Sequence, residues 1–296
     1  MKIKKKQRAL LIAAAAVFMV AFIVPGFNTR LAVRNYRVET DDVIAKIALI
    51  SDLHSCRYDD EQKELFNEIL LQNPDIVVLC GDIFDDKLPD DNAELFIDKI
   101  SQLDNIFIKN VSCYYVTGNH EYWAGETAFN EKMAILDKYG VKRLSGETET
   151  IAVDGGAVNI CGVDDPDASM IGAGGYDTLE EQLKAVSSEA DNGNYTILLS
   201  HRPEEIERYA KYGFDLVLAG HAHGGQWRIP GLMNGFYAPN QGFFPEYAGG
   251  EYHFGSTTMI VSRGLAREST RLPRFYNRPE LVIITLVRSG FIGCIL

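Results

Sequence analysis

Residues 216–227, LVLAGHAHGGQW, run an apolar, strand-like segment into two histidines one residue apart, with glycines on both sides. Two imidazoles on one face of an extended segment waste burial unless something binds them, and neutral imidazole is a common ligand of transition metals. Similar chemistry recurs along the chain. The apolar runs AKIALI, DIVVLC, CYYVT and YTILLS are followed by Ser51-Asp52-Leu53-His54, by Gly81-Asp82, by Gly118-Asn119-His120-Glu121 and by His201. Of the 6 histidines, only His253 lies away from these positions. Taken singly, each piece is ordinary turn or helix-cap chemistry. Taken together, Asp, His and Asn at five successive strand ends predict a metal site.

The donor types narrow the metal. Asp52, His54, Asp82, Asn119, His201, His221 and His223 offer imidazole, carboxylate and carboxamide without thiolate, which suits Mn, Fe or Zn in a mixed nitrogen and oxygen environment. Their number exceeds the needs of one ion and serves two if one carboxylate bridges. Two divalent ions against two carboxylates leave a cationic centre open to an anion, and phosphoryl oxygens fit that description.

The elements that must hold these residues alternate. Strand-like runs at 45–50, 75–80, 113–117, 195–200 and 215–219 are separated by helical patterns at 60–72, 92–103, 127–138 and 179–190, with a short helix in PEEIERYAKYG. Alternation by itself predicts an α/β fold with a doubly wound parallel sheet, whose strand carboxyl ends are where sites are built.

Composition sets the outer limits. The chain has 296 residues, 46% of them hydrophobic and 24% charged, and a formal net charge of −12. That acidity argues against a general nucleic-acid binder. The 5 cysteines form no CxxC pair, so neither a disulfide framework nor a zinc ribbon is indicated. Residues 1–29 read as a basic cytoplasmic tail and a transmembrane anchor: MKIKKKQR precedes an uncharged stretch, 9–29, long enough to cross a bilayer. AFIVPGF offers no A-x-A-like cleavage site, so an anchor is expected rather than a cleaved signal. The basic prefix places the remainder, 30–296, on the outer face of the cell membrane as one domain, although Arg30, Arg34 and Arg37 weaken the asymmetry.

The ordered set SDLH, GDIFD, GNHE, SHRPE and GHAHGG resembles the calcineurin-like metallophosphoesterase superfamily. The wording SHRP and GHAHGGQ, the leading apolar segment and the tail VSRGL with RPELVIITL are similar to its small membrane-associated bacterial branch, which includes phosphodiesterase-like and UDP-diacylglucosamine pyrophosphatase-like members. This resemblance, rather than periodicity, implies two mixed β-sheets packed face to face and flanked by helices. It implies Asp52, His54, Asp82 and His223 around one ion, and Asp82 again with Asn119, His201 and His221 around the other. It also implies that a hydroxide bridging the ions attacks phosphorus, with His120 assisting the leaving group and Asp85 orienting His120.

Departures from the family pattern bear on substrate. Phosphoprotein phosphatases of the superfamily carry arginines where this chain has Asp86 and Tyr122, so a protein phosphatase is not expected. The segment RGLARESTRLPRF replaces a glycine-rich run, so the wall that it builds is expected to differ. Arg263 is a candidate phosphate contact, with a structural salt bridge as the alternative. The aromatic segment 227–254 reads either as a membrane-facing loop or as loop packing over the site, the latter being favoured. The expected reaction is hydrolysis of a phosphodiester or pyrophosphate bond in a small molecule or lipid, with a lipid-linked or nucleotide-sugar substrate in view. A nuclease or general phosphatase of the same superfamily, or a non-catalytic metal binder, are the alternatives. No protein partner is inferable.

Overall fold

The structure is a computed structural model, described here over residues 5–107, 109–172, 178–267 and 272–290. In chain order the elements begin with α1 (Lys5–Gly26), β1 (Ala32–Thr40), β2 (Ala45–Ile50), α2 (Lys63–Gln72) and β3 (Ile76–Cys80). Next come α3 (Asp91–Ser101), α4 (Leu103–Phe107), β4 (Ser112–Val116), α5 (Asn119–Trp123), α6 (Glu126–Lys138) and β5 (Lys142–Arg143). The second half holds β6 (Glu147–Val153), β7 (Gly156–Gly162), α7 (Leu179–Glu189), β8 (Tyr195–Leu199), α8 (Ile206–Tyr209) and β9 (Leu216–Ala219). It closes with β10 (Tyr237–Ala238), β11 (Gly242–Phe243), β12 (Gly250–Phe254), β13 (Thr257–Val261) and β14 (Glu280–Arg288).

These strands make two large sheets, ordered β1-β14-β2-β3-β4-β5 and β12-β13-β9-β8-β7-β6, and not the single doubly wound sheet that alternation predicts. Both are mixed: β14 runs antiparallel to β2 in the first, while β6 and β12 run antiparallel to β7 and β13 in the second. The reason is visible in the residues. In β2, Ile47 and Leu49 face one apolar cluster and Ala48 and Ile50 face another. The first cluster joins Val78, Val116, Ile160, Leu199, Leu218 and Ile284 from both sheets, so it is the interface between them. The second covers the outer face of the first sheet with Leu65 and Ile69 of α2 and Phe96 and Ile97 of α3. A third sits outside the other sheet, where Leu198, Val217 and Met259 meet Leu183 and Val186 of α7 and Ile206 of α8. Strands buried on both faces read as continuous apolar runs, which explains the character of β2, β3, β8 and β9.

α2 begins at Lys63 rather than at the expected 60, because Gln62 is left-handed (φ 56°) and Asp59 accepts hydrogen bonds from the N–H groups of Lys63 and Glu64. The helical segment Lys6–Gly26 has 21 residues and is long and apolar enough to cross a membrane. Residues 268–271, within the segment expected to alter the site wall, lie outside the described residues.

Leu218 is fully buried between the sheets. Leu218→Ala is expected to lower unfolding free energy by about 2–5 kcal/mol, as cavity-forming core truncations do. Urea unfolding of the two proteins checks this, and a loss below about 1 kcal/mol would contradict the packing described.

Candidate metal centre

The polar residues at the ends of β2, β3, β4, β8 and β9 meet at one edge of the sandwich, where tight turns present them. Asp52 (φ 52°), His54 (φ 49°), Asp82 (φ 53°), His221 (φ 64°) and His223 (φ 47°) all have left-handed backbones, a conformation that non-glycine residues adopt at a cost of roughly 1–3 kcal/mol each. Such strain persists where surrounding structure enforces it. Gly264 (φ 72°) is part of that enforcement: a Cβ there would stand 2.6 Å from the Cβ of Asp52.

Two groups of side chains converge. In the first, His54 Nε2 lies 3.2 Å from His223 Nε2 and 3.6 Å from Asp82 Oδ2, and His223 Nε2 lies 3.5 Å from Asp52 Oδ1. In the second, His201 Nε2 lies 3.1 Å from Asp82 Oδ2 and 3.2 Å from His221 Nδ1. Asp82 belongs to both. Metal–ligand bonds of about 2.1 Å place neighbouring ligand atoms roughly 3.0–3.4 Å apart, so three of these spacings are those of coordination edges and the other two are slightly wider. Asn119 is buried, and its Oδ1 has no hydrogen-bond partner among the described residues, which leaves a lone pair suited to a cation. The donors present therefore fit the ions that the sequence predicts.

The outward atoms of His201, His221 and Asp52 are held by neighbours. His201 Nδ1 donates to the Cys80 carbonyl at 2.8 Å, which directs Nε2 into the centre. His221 uses the opposite nitrogen: its Nε2 meets Asn240 Oδ1 at 2.9 Å, leaving Nδ1 inward. Asp52 accepts from Ser51 Oγ at 2.6 Å and from the His221 N–H at 3.0 Å.

Electrostatics follow from burial. Burial opposes charge on His201, but the carboxylates of Asp82 and Asp52 overcome it and raise its pKa to about 10. Burial, together with the cationic neighbours His201 and Arg202, holds His221 well below the ordinary imidazole value. Burial with His54 and Arg274 does the same for His223. The centre thus demands positive charge while keeping two of its imidazoles in the neutral form that binds metal.

His120 stands at the rim, its side chain 21% exposed. The carboxylate that holds it is not the expected one. Asp86 Oδ1 lies 2.8 Å from His120 Nδ1, whereas Asp85 Oδ2 is 3.8 Å away. Asp85 instead faces His54 Nδ1 at 3.3 Å and accepts from the N–H groups of Lys87 and Leu88. Turn capping occupies Asp85 and frees the next residue for the imidazole. Arg263 forms the ion pair of the structural alternative, its Nε lying 2.9 Å from Glu280 Oε2.

Several supporting residues carry no spacing signal in the sequence. Arg202 places Nη1 3.1 Å from His221 Nε2 and 2.7 Å from Asn240 Oδ1, while its Nη2 donates to Asp165 at 2.8 Å. Its position directly after His201 was the one available hint. Glu121 is fully buried, and its carboxylate accepts from the N–H groups of Gly118 (2.8 Å), Asp82 (3.1 Å) and Phe84 (3.1 Å), tying the β3 and β4 loops together.

Burial first, and the charge of Asp82 second, raise the Glu121 pKa from 4.5 to about 7. Folded Glu121 keeps a proton that the unfolded chain sheds, so its contribution is full below pH 4.5 and is lost as pH rises through about 7. Glu121→Gln has one oxygen to serve three N–H groups and is expected to destabilise metal-free protein by about 1–3 kcal/mol at low pH. Because only the wild type carries the Glu121 contribution, and other titrating groups are common to both proteins, the deficit should narrow as pH rises. Urea unfolding across pH checks this, and a constant or widening deficit would overturn it.

Comparison with known proteins agrees with this geometry. The sequence profile of the family described as Calcineurin-like phosphoesterase matches residues 45–225. The chain is 32% identical over 246 residues to the uncharacterized metallophosphoesterase YkuE of Bacillus subtilis, covering 81% of this chain and 78% of that one. It is 30% identical over 268 residues to an uncharacterized metallophosphoesterase of Aquifex aeolicus, covering 88% and 93%. A bovine transmembrane protein with metallophosphoesterase domain is 30% identical over 233 residues, covering 75% of this chain and 48% of its own length. With the profile spanning β2 through His223 and relatives of similar extent, the chain belongs to the calcineurin-like phosphoesterase family, hydrolases of phosphoric esters.

Proposed function

We propose that this metallophosphoesterase hydrolyses a phosphodiester or pyrophosphate bond with two divalent ions of Mn, Zn or Fe, on a small-molecule or lipid-linked substrate at the outer face of a membrane. The observation that carries the reading is the pair of ligand groups sharing Asp82. Asp52, His54, Asp82 and His223 hold one ion, and Asp82, Asn119, His201 and His221 the other. When bound, such ions lower the pKa of coordinated water and offset the charge of the phosphoryl oxygens. His120 supplies the remaining proton chemistry: its Nδ1–H donates to Asp86, and Nε2 gives its proton to the leaving oxygen as the oxygen of a water molecule bonds to phosphorus and the P–O bond to the leaving group breaks.

Substrate class is supported by what the site lacks. Tyr122, at one position where phosphoprotein phosphatases carry arginine, is buried with its hydroxyl 3.0 Å from Thr117 Oγ1. Asp86, at the other, is committed to His120. Neither supplies a cation for a terminal phosphate, which favours a diester or pyrophosphate. The apolar length of α1 supports a single-pass anchor, with residues 30–296 as the domain beyond it.

Metal-stripped protein reloaded with Mn is expected to hydrolyse bis-p-nitrophenyl phosphate. Asp82→Asn should reduce turnover at least about 100-fold and lower the metal content measured by mass spectrometry. Turnover that survives metal removal would reject the reading. Asp86→Asn, which loosens His120 and the exposed Lys87 pair, should lower kcat by about 10-fold to 100-fold with metal content unchanged. Asp85→Asn should act instead on metal content through His54. The reverse pattern would return the orienting role to Asp85.

A further inference from the structure

The exposed apolar side chains of this domain are not evenly spread. Phe243 is 65% exposed, Phe244 69%, Leu232 81% and Leu272 55%; the two phenylalanines end one aromatic chain, Leu232 lies in the Ile229–Met233 turn that follows Trp227 of that chain, and the Leu272 carbonyl accepts from Gln226 beside it. That chain begins on the foot of α1. Phe22 and Phe27 meet Phe275 at ring separations of 6.0 and 5.1 Å; Phe275 meets Trp227 at 6.1 Å; Trp227 meets Phe236 at 6.1 Å; Phe236 meets Phe243 and Phe244 at 5.3 and 5.9 Å. Trp227 Nε1 donates to the Pro273 carbonyl, next to Leu272.

The backbone fixes this face to the helix. Tyr276 N–H donates to the Gly26 carbonyl and its hydroxyl to the Phe22 carbonyl, each at 2.6 Å. Arg278 donates to the carbonyls of Arg30 and Leu31. The apolar tips are therefore held beside the point where a spanning α1 leaves the hydrocarbon. Aromatic rings, with cationic Arg30 and Arg34 beside them, have the composition of a membrane–water interface, where rings sit among headgroups and arginines meet lipid phosphates. An apolar patch of this kind on a soluble surface otherwise marks an interaction site.

We infer that the face carrying Trp227, Leu232, Phe243, Phe244 and Leu272 beds into the headgroup region of the same bilayer that α1 crosses. It lies close to the metal centre: Trp227 follows His223 by four residues, and Asn277, next to Tyr276, donates to the His223 carbonyl at 2.6 Å. The substrate class is then an amphiphilic phosphoester whose apolar part stays in the lipid while its phosphorus reaches the ions. This rests on the membrane reading of α1 adopted above and sharpens its substrate class.

The test uses the full chain in vesicles of dioleoylphosphatidylcholine and dioleoylphosphatidylglycerol. With Trp123→Phe, Trp227 becomes the sole tryptophan. Its emission should be quenched by phosphatidylcholine carrying a doxyl group high on the acyl chain and shielded from iodide. In the variant Leu232→Asp/Phe243→Asp/Phe244→Asp, hydrolysis of hexadecyl p-nitrophenyl phosphate in the vesicles should fall at least about 10-fold, while turnover of soluble bis-p-nitrophenyl phosphate stays within about 2-fold. Quenching of Trp227 by iodide and not by the doxyl lipid overturns the inference, as does equal loss on both substrates. A chain that does not float with vesicles overturns the docking and the anchor together. A parent chain that shows lipid quenching without turnover of either ester supports the docking and rejects the hydrolytic reading.

Discussion

Asp52 and Asp82 are buried within reach of four imidazoles, and that concentration of donors shapes its surroundings. Burial pushes Asp52 up, while His201 pulls Asp82 well below the ordinary carboxylate range against its own burial. An imidazolium is an imperfect answer to such a field, because every proton placed on a ligand nitrogen removes a lone pair. Divalent ions answer it without that loss. The left-handed turns cost stability, and the Cys80 carbonyl on His201 and the Asn240 amide on His221 fix the rings, so that lone pairs stay inward.

The two sheets divide the labour. The first delivers Asp52, His54, Asp82 and Asn119, and the second delivers His201, His221 and His223. The apolar interface joining Leu49, Val78, Leu199 and Leu218 therefore sets the register of half the ligands against the other half. Close-packed interiors have few alternative arrangements, so the same packing that stabilises the domain also limits slip at the centre.

What was legible in the sequence was whatever burial on both faces makes conspicuous. β2, β3, β8 and β9 read as apolar runs, and their polar terminations stood out against them. β1, β6 and β12 escaped notice because edge strands with one wet face, as in AVRNYRVET or ETETIAV, carry charges throughout. β7 (GAVNICG) and β13 (TTMIV) were missed as well, because glycines, Asn159 and threonines break their apolar runs, so the second sheet entered only through family resemblance. At the site, adjacent Asp85 and Asp86 are indistinguishable in sequence, since their roles depend on which one the turn recruits as a cap. Asp165, Arg202 and Asn240 meet only through the fold.

The pairing of β1 with β14 places Ala32 opposite Glu280 and Thr40 opposite Arg288. On a ribosome, residues 32–40 emerge among the first of the domain and find their partner only when residues 280–288 follow. β14 also lies against β2, so the strand that presents Asp52 gains that neighbour only once residues 280–288 have been made. β1, whose sheet partner is β14, must therefore wait for it during synthesis. The charges of Arg34, Arg37 and Glu39 then have a second use as gatekeepers, discouraging that waiting edge from pairing with a neighbouring copy.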